Sequence, residues 1–83
     1  MTWFCYLLQC ADGTLYCGIT NDLDKRIFVH NAGEGAKYTR GRTPVRLVYR
    51  ESCEDKSAAL KRERQIKRLP RQAKLALILP SKE

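Results

Sequence analysis

Two apolar runs flank a short polar interruption near the start of this 83-residue chain: Trp3 to Leu8 before Ala11-Asp12-Gly13, and Leu15 to Thr20 after it. Aromatic and apolar segments separated by an Asp-Gly pair have the pattern of an antiparallel β-hairpin. Loop length then fixes which face each side chain takes, because strand residues alternate and a one-residue slip moves a tyrosine to the other side. A two-residue loop at Asp12-Gly13 puts Tyr6 and Tyr16 on opposite faces. A three-residue loop, with Gly13 left-handed after a type I turn, pairs Cys10 with Thr14, Tyr6 with Gly18 and Leu8 with Tyr16. The second register is expected. It sets both phenols on one side and places a glycine opposite Tyr6, leaving room over the ring for a substrate backbone.

Downstream, Asn21 is a suitable N-cap, and Leu23, Ile27 and His30 recur at helical spacing, predicting a helix from about Asp22 to His30. Arg26 and His30, four residues apart, share its inward stripe. Residues 31–44, with three glycines, Lys37, Tyr38, Arg40 and Arg42, read as an exposed flexible loop. Val45 to Tyr49 predicts a third strand with Val45, Leu47 and Tyr49 on one face. Ser52 is a plausible cap for a long helix reaching Leu69. Pro70 stops that helix and opens a shorter one, Arg71 to Leu79, with Leu75, Ile78 and Leu79 against the sheet. The expected fold class is α+β: a three-stranded antiparallel sheet flanked by helices in ββαβαα order, one domain spanning 1–83.

Charge separates the two halves of the chain. Residues 1–36 carry Lys25 and Arg26 against Asp12, Asp22, Asp24 and Glu34, a balance of −2; the remainder carries +9, which makes the net charge +7. A basic half favours a polyanionic partner, since neutralising phosphates releases counterions. Trp3 to Leu8 is too short for a signal-peptide core, and Leu75 to Leu79 is far below the roughly 20 apolar residues of a membrane span. A cytoplasmic protein with no membrane partner is expected. Cys5, Cys10, Cys17 and Cys53 form no C-x-x-C pair and His30 is the single histidine, which argues against structural zinc and for small apolar residues in strands.

Certain polar residues have the chemistry for phosphodiester hydrolysis, which needs an activated water, charge stabilisation on the phosphoryl oxygens and help for the leaving oxygen. Arg26 offers paired donors and a permanent charge for phosphate. A phenol such as Tyr6 or Tyr16 is ordinarily a poor base, but a nearby cation favours phenolate and makes one of them a credible general base; an imidazole such as His30 can accept or relay a proton. Glu63 falls on a stripe with Ala59 and Ile66, so a cation must meet its carboxylate: an arginine, a lysine or a divalent metal.

This ordered set resembles the GIY-YIG nuclease superfamily, in particular its small single-domain bacterial members. Phe4-Cys5-Tyr6 stands at the first motif and Tyr16-Cys17-Gly18 at the second. Gly18 to Leu23 leads into the helix bearing Arg26 and His30, and Arg62 to Lys67 resembles the segment with the metal-binding glutamate. The resemblance implies DNA strand cleavage dependent on Mg²⁺ or Mn²⁺ held by Glu63. In it Tyr6 leads water activation, Tyr16 assists, Arg26 stabilises the transition state and His30 relays a proton. DNA repair or recombination, on branched, nicked or single-stranded forms, would be the setting. Lys37, Tyr38, Arg40, Arg42, Arg46 and Lys67 are the expected nucleic-acid contacts. The chain departs from the name pattern at Phe4 and Cys5, and no asparagine follows Asn31, so a role that many members give to an asparagine is vacant or taken by Gln72. The alternative is a non-cleaving nucleic-acid-binding module of the same fold.

Overall fold

A computed structural model describes residues 2–78. The hairpin forms from β1 (Trp3–Gln9) and β2 (Leu15–Thr20). Its turn is the three-residue one: Cys10 N–H donates to the Thr14 carbonyl at 2.8 Å, Gly13 N–H to the Cys10 carbonyl at 2.9 Å, and Gly13 has φ 85°. Tyr6 therefore faces Gly18 and Leu8 faces Tyr16. Asp12 locks the corner by accepting from Thr14 N at 3.1 Å and Thr14 Oγ1 at 2.6 Å.

The third strand, β3 (Arg46–Cys53), pairs antiparallel with the other side of β1, giving the order β2-β1-β3 and leaving β2 as an edge. It is longer than the expected 45–49 segment and carries an irregularity: Leu7 faces Tyr49 while Leu8 faces Leu47, so Val48 is an extra residue. A bulge of this kind reverses the alternation. Val45 and Leu47 consequently join Tyr6, Leu8, Cys10 and Leu23, whereas Tyr49 packs with Cys5, Leu7, Cys17 and Ile66 on the opposite face. The expectation that Val45, Leu47 and Tyr49 share one face fails for that reason.

The helices are α1 (Leu23–Asn31), α2 (Lys56–Lys67) and α3 (Arg71–Ile78), with a 3-10 turn at Lys37–Thr39, so the ββαβαα order stands. Two caps differ from the sequence reading. Asp22, not Asn21, caps α1 by accepting from Lys25 N at 3.2 Å, and Asp55, not Ser52, caps α2 by accepting from Ala58 N at 2.8 Å. An ionised carboxylate is the stronger acceptor at a helix start, and Ser52 is held in β3 opposite Phe4. The long helix ends at Lys67, short of Leu69.

The first helix covers one sheet face through Leu23 and Ile27; α2 and α3 cover the other through Ile66, Leu77 and Ile78. Leu79, expected in this packing, lies outside the described residues. Four consecutive residues of β1, Cys5 to Leu8, are thus fully buried. Cys5, Cys10, Cys17 and Cys53 are free thiols, the first three buried among apolar neighbours.

Candidate active site

On the α1 face, the sheet brings Tyr6 beneath the backbone of Gly18. A Cβ at residue 18 would fall 2.5 Å from the Tyr6 hydroxyl oxygen and 3.1 Å from Tyr16 Cε2. The space that this glycine opens is therefore filled by Tyr6 itself, not left free over the ring. Tyr6 is only 1% exposed. Burial pushes its phenol up to about 12, outweighing the opposing pull of the Arg26 guanidinium.

Its hydroxyl meets His30 Nε2 at 3.2 Å, and His30 Nδ1 meets Thr39 Oγ1 at 2.8 Å. Thr39 Oγ1 donates to the Ala36 carbonyl at 2.9 Å. A hydroxyl has one proton, so Thr39 must accept from Nδ1–H; Nε2 is then the unprotonated nitrogen and accepts from the Tyr6 hydroxyl. The chain runs in one direction, from Tyr6 to His30 to Thr39 to the Ala36 carbonyl. All three side chains are almost fully sealed from water, at 0–1% exposure. Burial, reinforced by the Arg26 charge, holds the His30 pKa below its ordinary value, keeping the imidazole neutral at pH 7. Gly35 makes the fit possible, because any Cβ there would collide with the imidazole.

Tyr16 differs from Tyr6. It is half-buried, and its hydroxyl has no hydrogen-bond partner among the described residues. Its ring lies 5.3 Å from His30 and 5.8 Å from Tyr38, centroid to centroid. Arg42 covers the Tyr38 ring at 4.4 Å and pairs with Asp12 at 3.5 Å, and Ala11 N–H donates to its carbonyl at 2.7 Å. Residues 32–44 are thus not simply an exposed flexible loop: they dock on the hairpin turn and send Thr39 inward.

Arg26 acts on the Tyr6 phenol from α1 and lines a surface cavity of about 230 Å³ with Thr20, Asn21, Asp22, Lys25 and Val29. Glu63 comes from α2, on the other side of the sheet. Its side chain is 17% exposed and pairs with Lys67 at 3.4 Å, so among the described residues its cation is a lysine, not Arg26. On that side Ile66, one turn from Glu63 on α2, packs in one cluster with Cys17, which stands between Tyr16 and Gly18. Four of the five expected catalytic residues, Tyr6, Tyr16, Arg26 and His30, gather on one face. Glu63 approaches the same stretch of β2 from the other.

Among the expected nucleic-acid contacts, Lys37, Tyr38 and Arg40 stand exposed on the 3-10 turn and just after it. Arg46 is exposed on β3 and bonds Gln9 Oε1 at 2.9 Å, and Lys67 is engaged by Glu63. Thr39 and Gly35 were missed by sequence reasoning. The G-x-x-x-T spacing within a glycine-rich basic segment gives no periodic signal, and their partner His30 is reached only through the fold.

A divalent metal fits Glu63 as one hard oxygen donor. No group of three or more His, Cys, Asp or Glu side chains that could hold a metal occurs among the described residues. Among the described residues the site thus offers a divalent metal one carboxylate donor and no closed cage of protein ligands.

The profile of the GIY-YIG catalytic domain matches residues 2–76. The chain is 54% identical over 82 residues to a UPF0213 protein of Desulfotalea psychrophila, covering 98% of this chain and 74% of that one. It is 56% identical over 72 residues to a UPF0213 protein of Halobacterium salinarum, covering 87% and 94%. A solution structure of a UPF0213 protein from Bacillus halodurans matches with a TM-score of 0.60 at 45% identity, over 94% of this chain and 83% of that one. No helix among the described residues is long and apolar enough to cross a membrane.

Proposed function

The chain belongs to the GIY-YIG family, whose domain is of nuclease type, and from that premise we propose that it is a divalent-metal-dependent endonuclease hydrolysing DNA phosphodiester bonds in the cytoplasm. The observation that carries this reading is the division of labour between two phenols: one sealed into a directed hydrogen-bond chain, the other open beside it.

The hydroxyl of Tyr16 is free to meet an attacking water, and we assign it the role of general base. Tyr6, expected from the sequence to lead, becomes a positioning residue, because its proton is already directed at His30 Nε2 and burial disfavours its phenolate. His30 and Thr39 hold Tyr6 in place, its hydroxyl kept as a donor to the unprotonated Nε2. Arg26 provides a permanent positive charge for the phosphoryl oxygens as they gain negative charge. Glu63 would hold Mg²⁺ or Mn²⁺, which when bound supplies Lewis acidity at phosphoryl oxygen. One observation favours the second reading, a non-cleaving binding module: the Lys67 ammonium already neutralises Glu63.

A cleavage assay on single-stranded, duplex, nicked and branched DNA tests this reading. The wild type is expected to cut at least one form with Mg²⁺ or Mn²⁺ and none in EDTA, and Glu63→Ala and Arg26→Ala to lose about 100-fold or more. Cleavage persisting in EDTA, or in Glu63→Ala, would overturn it. Salt-sensitive binding without cleavage would establish the module instead.

A further inference from the structure

The open edge of β2 separates the two sheet faces, and a cavity of about 180 Å³ sits across it, lined by Thr14, Leu15, Tyr38, Arg71 and Lys74. Its walls come from three places that the sequence does not connect. Thr14 and Leu15 lie where the hairpin turn enters β2. Tyr38 belongs to the 3-10 turn over the α1 face, and Arg71 and Lys74 are on α3, whose Leu77 and Ile78 pack on the opposite face.

None of the five lining residues is acidic. The nearest carboxylate in sequence, Asp12, is engaged by Thr14 and Arg42. Arg71 is held in place by donating from Nη2 to the Gly13 carbonyl at 3.0 Å, and this leaves its other donors for a ligand. Tyr38, on its wall, has its ring 5.8 Å from that of Tyr16, so the cavity neighbours the face that carries the open phenol. Lys74, half-buried on α3, is the second cation of the lining.

We infer that this cavity is a second phosphate-binding subsite, which grips the backbone of the nucleic-acid strand at Arg71 and Lys74 while the neighbouring phosphodiester lies against Tyr16 and Arg26. It rests on the nuclease reading for its polarity relative to the reacting phosphate, but not for phosphate binding itself. Tyr38 is a spacer between the two subsites. Arg42 covers one face of its ring, and the Tyr16 ring lies 5.8 Å away at a tilt of 32°.

The test is fluorescence anisotropy with a labelled 20-nucleotide oligomer, single-stranded and as duplex, in metal-free EDTA buffer across a salt series. Arg71→Ala/Lys74→Ala is compared with Lys56→Ala/Lys61→Ala, which removes equal charge from exposed positions on α2. The subsite variant should bind about 10-fold or more weakly, and its slope of log affinity against log salt should fall by about 1.4 on the single strand, two contacts at roughly 0.7 each. The control should change less than about threefold, the effect of net charge alone.

Equal losses in the two variants, unchanged binding in the subsite variant, or no binding by the wild type would each overturn the inference. If the double variant fails to fold by circular dichroism, Lys74→Gln alone carries the test, with a slope change of about 0.7 expected. Binding that behaves as described while no DNA is cut would sink the nuclease reading and leave the subsite standing. Cleavage with an unaltered KM in the subsite variant would do the reverse.

Discussion

On one side of β1, Cys5 and Leu7 meet Cys17, Ile66, Leu77 and Ile78, an apolar layer under α2 and α3. On the other, one residue further along the same strand, Tyr6 meets His30 and Thr39 under α1. Both sides bury apolar side chains, yet only the second seals a chain of hydroxyl and imidazole groups away from water, and there every buried hydroxyl and ring nitrogen described has a partner. The difference separates two physical roles. Apolar packing tolerates substitution at a cost graded by volume, whereas a buried directed hydrogen-bond chain fails when any member loses its donor or acceptor. Apart from Glu63, the α2–α3 face is expected to support stability, and the α1 face to hold one phenol so that the other can work.

The contrast can be broken from the apolar side first. Ile66→Ala, at a fully buried position, should cost about 2–5 kcal/mol in urea unfolding. The folded fraction should still cleave within about threefold of wild type; a larger loss of single-turnover rate would mean that this packing also sets the position of Glu63, one turn away on α2.

Next comes Thr39→Val, nearly isosteric, which leaves the His30 Nδ1–H without its acceptor. It should cost about 1–3 kcal/mol and disturb the imidazole tautomer, while Thr39→Ser restores both. An equal loss in Thr39→Ser would show that the methyl group, not the hydroxyl, carries the role. The readout that a merely structural role would not move is the ¹⁵N chemical shifts of the ring, which report which nitrogen holds the proton.

The smallest effect is on titration. Because the folded His30 pKa lies below that of the unfolded chain, the unfolded state binds more protons between the two values. Stability should therefore rise with pH through that window, be complete above about 6.5 and decline as pH falls below it. NMR titration of His30 should give a value below 6.5. A value above it would mean that the imidazole is charged and donates from both ring nitrogens, with Tyr6 accepting from Nε2–H.

Sequence patterning reached the hairpin register because alternation and turn chemistry agree: only the Gly13 turn puts Tyr6 opposite Gly18, and that pairing is observed. It missed the side taken by Tyr49, since the extra Val48 is invisible in a run of apolar residues. Of the site, the residues on regular elements were legible from spacing, Arg26 and His30 four apart on a helix being the clearest. Thr39 and Gly35 were not legible, because a buried hydroxyl in a glycine-rich basic segment has no period and gains meaning only when the segment folds back on His30. Nor does spacing distinguish a sealed tyrosine from an open one. Tyr6 and Tyr16 share a face, and the close approach of Gly18 decides which is covered.

That distinction is also the most exposed part of the account. The decisive measurement is the pH dependence of single-turnover DNA cleavage for Tyr6→Phe and Tyr16→Phe under saturating Mg²⁺. Tyr16→Phe should lose about 100-fold or more and its rate should no longer rise with pH, as expected when the general base is removed. Tyr6→Phe should lose about 10-fold, within the cost of one charge-free buried hydrogen bond, and keep the wild-type pH limb. A Tyr16→Phe enzyme that keeps the limb while Tyr6→Phe abolishes it would contradict the assignment of the open phenol as the base.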